Sequence, residues 1–181
     1  MNPIVKKLCI VGVFTALMCI LAPVSIPIEP VAITLATLMV YLIGACFSWK
    51  IAPWIVALYI ALGSFGLPIF SKFQGGFQVV LGPTGGFIWG YLLGVIAESL
   101  LITLLKNKRW IYPVAMLLAT VLIYAFGLTW FMIYMGGKYE FGHAMMVCVV
   151  PFLPGDAAKI VLASIIGYRL RQIFDRQKAD E

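Results

Sequence analysis

The residues best suited to chemistry are an acid and a base, Asp156 and Lys159, in the stretch Pro-Phe-Leu-Pro-Gly-Asp-Ala-Ala-Lys at positions 151–159. A spacing of three residues places both side chains on the same face of a helix. The two prolines and the glycine before Asp156 predict a break, after which the helix restarts with this carboxylate at its positive end. Charged groups inside an apolar chain are costly and usually mark a substrate or ion site.

This pair offers one strong hydrogen-bond acceptor and one strong donor in apolar surroundings. It suits a small ligand with donors and an acceptor on one rigid end, as in a cyclic urea. An amino acid or a nucleobase would also fit, and a purely structural ion pair is the alternative. The two residues therefore indicate a class of ligand without selecting one.

Catalytic and metal-binding functions have little support. The single histidine, His143, has no Cys, Asp or second His at ligand spacing, so we expect no metal. The sequence contains no P-loop, G-x-S-x-G or H-E-x-x-H motif. A small integral membrane enzyme using Asp156 and Lys159 as acid and base would need a further nucleophile, and none is found. We therefore expect a protein that is not an enzyme and has no cofactor.

The composition is that of an integral membrane protein. Of the 181 residues, 63% are hydrophobic and only 11% are charged, and the mean hydropathy is +1.05. The net charge of +6 does not indicate nucleic-acid binding, because most basic residues fall in short gaps between apolar runs. We expect one transmembrane domain over residues 1–181, surrounded by lipid.

Six apolar runs approach the roughly 20 residues that a membrane span needs. They cover Leu8–Ala22, Val31–Trp49, Pro53–Gly66, Thr84–Leu105, Trp110–Met135 and Ala144–Arg169. The first run has no cleavage site after it and is expected to stay as a helix. A proline-rich irregular segment follows it, and the sixth run is broken at Pro151–Gly155. The predicted fold is all-α, with a long outer connection between the third and fourth spans.

The distribution of basic residues predicts the orientation. Ten fall on one side of the predicted membrane and two on the other: Lys6, Lys7, Lys50, Lys106, Lys108, Arg109, Arg169, Arg171, Arg176 and Lys178 against Lys72 and Lys138. Short loops rich in Lys and Arg stay in the cytoplasm. Both termini are therefore predicted to be cytoplasmic.

The long connection, Leu67–Gly86, is apolar, aromatic and rich in glycine. A connection of this length in a compact bundle is usually functional. We expect it to fold back as a lid, and a re-entrant packing loop is the alternative. The lid is assigned to Phe73, Gly75, Gly76 and Phe77. Its neutral hydrogen-bonding residues, Gln74 and Gln78, are candidate ligand contacts.

Small residues recur at helical spacing in two places. Gly82, Gly86, Gly90 and Gly94 predict a stripe on which another helix packs closely, with Thr84 as the cap of that helix. Glu98 continues the stripe, and no role is assigned to it. Gly12 and Ala16 form a similar pair in the first span, which indicates either internal packing or a docking surface for another membrane protein.

Two motifs together resemble one family. Leu-Gly-Pro-Thr-Gly-Gly-Phe at positions 81–87 and the stretch at 151–159 are similar to those of the BioY family, the biotin-specific S components of energy-coupling-factor (ECF) transporters. The likeness covers essentially the whole chain. Asp156 and Lys159 match the ligand-binding pair of that family, and the long connection matches its lid. Where the family typically docks through an alanine-x-x-x-alanine pattern, this chain has Gly12 in the first position.

The resemblance implies a membrane subunit that captures biotin with high affinity from outside a prokaryotic cell. Its implied partners are a transmembrane coupling protein and two cytoplasmic ATPase subunits, since the chain has no ATP site of its own. Biotin would be the transported ligand. An S component for another vitamin is the main alternative.

Overall fold

The computed structural model describes residues 3–26, 33–105, 108–137 and 139–179. These segments are almost entirely helical, which confirms the predicted all-α class. The helices are α1 (Pro3–Leu21), α2 (Ala36–Cys46), α3 (Ala52–Ser64), α4 (Phe77–Val80), α5 (Gly85–Leu104), α6 (Ile111–Met135), α7 (Phe141–Cys148) and α8 (Leu153–Ala179). Short 3-10 turns lie at Ser71–Phe73 and Val150–Phe152.

A small hairpin precedes α2, where the second span was expected to begin. Strands β1 (Ser25–Ile26) and β2 (Ile33–Thr34) pair antiparallel, with Ser25 opposite Thr34. The Thr34 hydroxyl then accepts a hydrogen bond from the backbone N–H of Ala36, at 3.2 Å. The predicted start of this span, Val31, lies outside the described residues. The prediction of helix at Ile33 and Thr34 is wrong, because both β-branched residues are paired in a strand.

Helix α2 is enclosed by its neighbours. Nine of its 11 residues are buried, and it packs on both α5 and α8. Within the described ranges, three helical stretches are long and apolar enough to cross a membrane: Gly85–Leu104, Ile111–Met135 and Phe141–Phe174. Helices α2 and α3 are apolar but shorter. The count of six spans therefore remains a prediction.

The glycine stripe packs α5 against α6, as predicted. A Cβ at Gly86 would overlap Trp130, and one at Gly90 would lie 3.0 Å from the Cα of Ile123. Glycine thus permits close approach of the two helices. Gly82 lies before the helix and is not part of the stripe. Thr84 occupies the N-cap position without a side-chain capping bond, so the predicted cap is wrong.

The last helical region is broken, but earlier than expected. Helix α7 ends at Cys148, and α8 begins at Leu153, so Pro154 lies in the first turn of α8. Proline is tolerated there because the first N–H groups of a helix have no intrahelical partner. Helix α8 also continues past the predicted end. Arg171, expected in a cytoplasmic tail, is 6% exposed and donates to the carbonyls of Ala45 and Phe47 at 3.2 and 3.4 Å.

Candidate functional site

Asp156 and Lys159 form a buried ion pair on the first turns of α8. Lys159 Nζ lies 2.9 Å from Asp156 Oδ1, with the two side chains 12% and 5% exposed, respectively. The break before Leu153 sets this geometry, because it places Asp156 in the first turn and Lys159 one turn later. Each charged group has its opposite within hydrogen-bond distance, so neither is buried without a partner.

Three residues that sequence reasoning missed complete the pair's hydrogen bonds. Thr37 of α2 donates to Asp156 Oδ1 at 3.0 Å, and Tyr124 of α6 donates to Asp156 Oδ2. Lys159 donates to the Thr37 hydroxyl at 2.9 Å and to the Thr34 carbonyl at 2.7 Å. The sequence shows isolated Thr and Tyr residues in apolar runs. It does not show that residues more than 100 positions apart, such as Thr37 and Asp156, come into contact.

A small cavity of about 30 Å³ adjoins this pair. Its lining combines the polar network with apolar side chains: Thr34, Thr37, Phe87, Tyr91, Ile123, Tyr124, Cys148, Phe152, Asp156 and Lys159. A volume of this size can hold a water molecule but no ring system. We call it the smaller cavity.

A larger cavity of about 570 Å³ lies beneath the long connection. This volume is within the range of small-molecule sites, about 300–1,000 Å³. Its lining includes Gln74, Gly75 and Gln78 of the predicted lid, and the aromatic side chains Tyr59, Phe70, Phe87 and Tyr91. Three residues, Thr34, Phe87 and Tyr91, line both cavities. They form the wall between the ion pair and the larger cavity.

The long connection packs against the helices through one buried aromatic ring. Phe70 is 1% exposed and packs edge-to-face on Tyr59 of α3, with ring centroids 5.5 Å apart. A Cβ at Gly63 would overlap the Phe70 ring. The Gly76 N–H donates to the Gly63 carbonyl at 2.7 Å. The segment therefore covers the larger cavity as an ordered layer.

The predicted lid residues occupy two different environments. Gly75, Gln74 and Gln78 line the larger cavity, and Gln78 also donates to the Gly75 carbonyl at 3.0 Å. Phe73 and Phe77 are 67% and 58% exposed and are not part of the cavity lining. The structure thus brings the polar residues of the connection to the larger cavity and leaves these two aromatic rings on its outer surface.

The β1–β2 hairpin joins the connection to the ion pair. The Lys72 N–H donates to the Ser25 hydroxyl at 3.3 Å, Ser25 pairs with Thr34, and Thr34 accepts from Lys159. Lys72 and Phe73 have φ values of 57° and 55°. Non-glycine residues in this left-handed region cost about 1–3 kcal/mol each, and such residues cluster at ligand sites.

The small residues of α1 face outward. Gly12 and Ala16 are exposed, and a Cβ at Gly12 would have no neighbour within 4 Å. Internal packing, one of the two interpretations of this pair, therefore does not apply at Gly12. The outward face of α1 at this position leaves room for lipid or for another helix.

Glu98 lies apart from both cavities. It is fully buried in α5, and a Cβ at Gly44 would lie 2.6 Å from its carboxyl carbon. Neither carboxyl oxygen has a hydrogen-bond partner among the described residues. The residues that the structure describes also contain no group of three His, Cys, Asp or Glu side chains able to hold a metal ion.

Comparison with known sequences identifies one family. A sequence model of the BioY family matches residues 1–176. A relative from Thermotoga maritima, named biotin transporter BioY, is 36% identical over 168 residues, which cover 93% of this chain and 97% of the relative. A probable biotin transporter BioY from Pyrococcus horikoshii is 31% identical over 166 residues, covering 92% and 96%.

Comparison with solved structures points to the same family. The crystal structure at 2.1 Å of the S-component for biotin from an ECF-type ABC transporter superposes with a TM-score of 0.86. The two chains are 27% identical, and the match covers 94% of this chain and 93% of the other. The helices and the long connection described above are thus arranged as in a known transporter subunit.

Proposed function

The chain belongs to the BioY family, and from that premise we propose that it is a membrane subunit that binds biotin and delivers it for ATP-driven uptake. It is a transport subunit and not an enzyme, because its family and its structural counterpart are transporter components. Biotin is its cargo, and no cofactor takes part. The protein is an integral membrane protein with several membrane-spanning helices.

The ureido head of biotin is assigned to the ion pair. Its N–H groups are donors that match the Asp156 carboxylate, and its carbonyl is an acceptor that matches the Lys159 ammonium. The bonds that Thr37 and Tyr124 make to Asp156 hold the carboxylate in one orientation. The ligand then meets a preorganised acceptor, which limits the ordering that binding requires. The ligand's carbonyl takes the place of one of the three acceptors that Lys159 bonds in the unliganded protein.

The fused rings of biotin are assigned to the larger cavity. Its volume of about 570 Å³ accommodates a vitamin-sized ligand, and Tyr59, Phe87 and Tyr91 supply aromatic surface. The smaller cavity, at about 30 Å³, cannot admit a ring. Binding therefore requires the shared wall to part, so that the ureido edge of the bicycle reaches Asp156 while the sulfur-containing ring and the tail stay beneath the connection. The connection Leu67–Gly86 acts as the lid, with Gln74 and Gln78 facing the ligand.

The observation that carries this assignment is the buried, fully hydrogen-bonded ion pair behind the wall of a ligand-sized cavity. Asp156→Asn keeps the size of the side chain and removes its charge. The lost charge-assisted bond is worth about 1.5–3 kcal/mol, which corresponds to a biotin affinity roughly 10- to 150-fold weaker. Isothermal titration of the detergent-solubilised protein measures this loss.

The chain offers a matched control in Glu98→Gln. This change also replaces a buried carboxyl of the helical core with its amide, but at a position that lines neither cavity, so biotin affinity should stay unchanged. Wild-type affinity in a folded Asp156→Asn variant would refute the assignment. Thiamine and riboflavin belong in the same titrations, since tight binding of either one without biotin would favour another vitamin as the cargo.

Transport requires partners, because biotin binding alone cannot drive uphill uptake. A transmembrane coupling protein and two cytoplasmic ATPase subunits are the proposed partners, and the outward face of α1 around Gly12 and Ala16 is the proposed docking surface. Two small exposed residues four positions apart let a partner helix approach closely. The cell membrane, with both termini in the cytoplasm, is the proposed location, and the excess of basic residues on that side supports it.

A further inference from the structure

Ser71, in the long connection, carries a buried hydroxyl that has no hydrogen-bond partner among the described residues. Buried serines elsewhere in the chain behave differently. The Ser64 hydroxyl donates to the Ile60 carbonyl at 2.7 Å, and the Ser99 hydroxyl donates to the Val95 carbonyl at 2.6 Å. A buried polar group without a partner is unfavourable and rare in native proteins. The Ser71 hydroxyl therefore points to a partner that the folded chain alone does not provide.

The backbone next to Ser71 is held in an uncommon conformation. Ser71 begins a 3-10 turn that ends at Phe73, and the two residues after Ser71 have φ values of 57° and 55°. The turn is closed by the Phe70 N–H, which donates to the Gln74 carbonyl at 2.9 Å, and the Phe70 ring is buried. The surrounding structure thus imposes a conformation that non-glycine residues seldom adopt, and such conformations cluster at ligand sites.

Ser71 also lines the larger cavity, together with Gln74 and Gln78. Rotation about its Cα–Cβ bond moves the hydroxyl among three staggered positions. A ligand held in the cavity lies next to this side chain and can supply the missing acceptor. On biotin, the ureido oxygen is already assigned to Lys159, and a thioether sulfur is a weak acceptor. The strong acceptor that remains is the carboxylate of the valerate tail.

We infer that Ser71 is a ligand-binding residue of the lid, whose hydroxyl donates to the carboxylate of the tail. This inference rests on the proposed function, in which the ureido head of biotin lies at Asp156. Without ligand the hydroxyl has no partner, and in the complex it makes a charge-assisted hydrogen bond. Ser71 therefore lowers the stability of the unliganded protein and raises its affinity for the ligand. A hydroxyl with a purely structural role would instead stabilise the unliganded protein.

The test compares wild-type protein with Ser71→Ala in detergent. Isothermal titration measures the affinity for biotin and for an analogue whose side chain ends in a methyl group in place of the carboxylate. Ser71→Ala should bind biotin about tenfold more weakly, where the usual ranges for neutral and charged hydrogen bonds meet. Both proteins should bind the analogue equally. Without ligand, the unfolding temperature of Ser71→Ala should be unchanged or higher by up to about 4 °C, because no unpaired hydroxyl remains buried at this position.

Ser99→Ala is the matched control, because the Ser99 hydroxyl is fully buried, bonds within its own helix and lines neither cavity. It should leave the affinity for both ligands unchanged. The inference is overturned if Ser71→Ala binds biotin as tightly as the wild type, or if it weakens biotin and the analogue equally. An unliganded Ser71→Ala that unfolds below the wild-type temperature would also overturn it. Wild-type protein that does not bind biotin would overturn the proposed function itself.

Discussion

Replacing Lys159 with methionine should destabilise the unliganded protein strongly, because it leaves the buried carboxylate of Asp156 without its counter-charge. The variant loses three hydrogen bonds, of 2.7, 2.9 and 2.9 Å. Removing one partner of a buried ion pair usually costs about 3–5 kcal/mol. Asp156 keeps the donors of Thr37 and Tyr124, so we expect a loss near the lower end, about 3 kcal/mol. For a chain of this size, that loss corresponds to a fall of about 6–12 °C in unfolding temperature.

The double variant with Asp156→Asn gives the sharper result. Asp156→Asn alone leaves the Lys159 ammonium buried without a counter-charge, and should also be destabilising. With both changes no charge remains, so the total loss should be smaller than the sum of the two single losses by about 1–3 kcal/mol. Two side chains that act independently would instead give additive losses.

Tryptophan fluorescence during heating in detergent measures these effects, with biotin absent and one heating rate for every variant. Lys108→Met, at an exposed lysine outside the helices, is the matched control and should change stability by no more than about 0.5 kcal/mol. Unfolding of Lys159→Met at the wild-type temperature, or additive losses in the double variant, would show that the two charges do not depend on each other.

Two further predictions concern the glycines. Gly86→Ala should destabilise the protein by about 1–3 kcal/mol, because the new Cβ overlaps Trp130. Gly12→Ala should leave the unfolding temperature unchanged or slightly raised, because no atom lies within 4 Å of the new Cβ. Equal effects of the two changes on the unfolding temperature would contradict the packing described. Gly12→Leu should keep the biotin affinity of the isolated chain and reduce co-purification with the coupling protein by roughly tenfold or more; unchanged co-purification would place the docking surface elsewhere.

The helical architecture was readable from the sequence because apolar runs and their interruptions follow directly from membrane physics. The spacing of Gly86, Gly90 and Gly94 predicted close helix packing, and α5 and α6 meet there. The residue at which a helix begins or ends was harder to predict. Pro154 pointed to a break, yet proline also fits the first turn of a helix, and only the packing of the surrounding helices decides between the two.

The candidate site was likewise predictable only in part. Asp156 and Lys159 could be predicted because two charges in an apolar chain stand out and their spacing fixes their common face. Thr37 and Tyr124 could not, since a hydroxyl in an apolar helix can bond to its own backbone, as Ser99 does to Val95 at 2.6 Å. The division into two cavities depends on the orientation of Phe87 and Tyr91, which the sequence pattern does not determine.

The hairpin was missed because its strands have only two residues each. Ser25 lies in the proline-rich segment and Thr34 in the run predicted as the second span, and the period-2 pattern that indicates a strand needs at least four residues to be recognised. Their pairing nevertheless links Lys72 to Lys159. This link is the part of the account that depends most on three-dimensional structure.

The central claim is that biotin binds with its ureido head on the Asp156–Lys159 pair. A structure of the purified protein with bound biotin tests it most directly. We expect the ureido N–H groups to donate to the Asp156 carboxylate, the ureido oxygen to accept from Lys159 Nζ, and the sulfur-containing ring to lie beneath residues 67–86. Biotin bound elsewhere, with Asp156 and Lys159 still bonded only to each other, Thr34, Thr37 and Tyr124, would contradict the account.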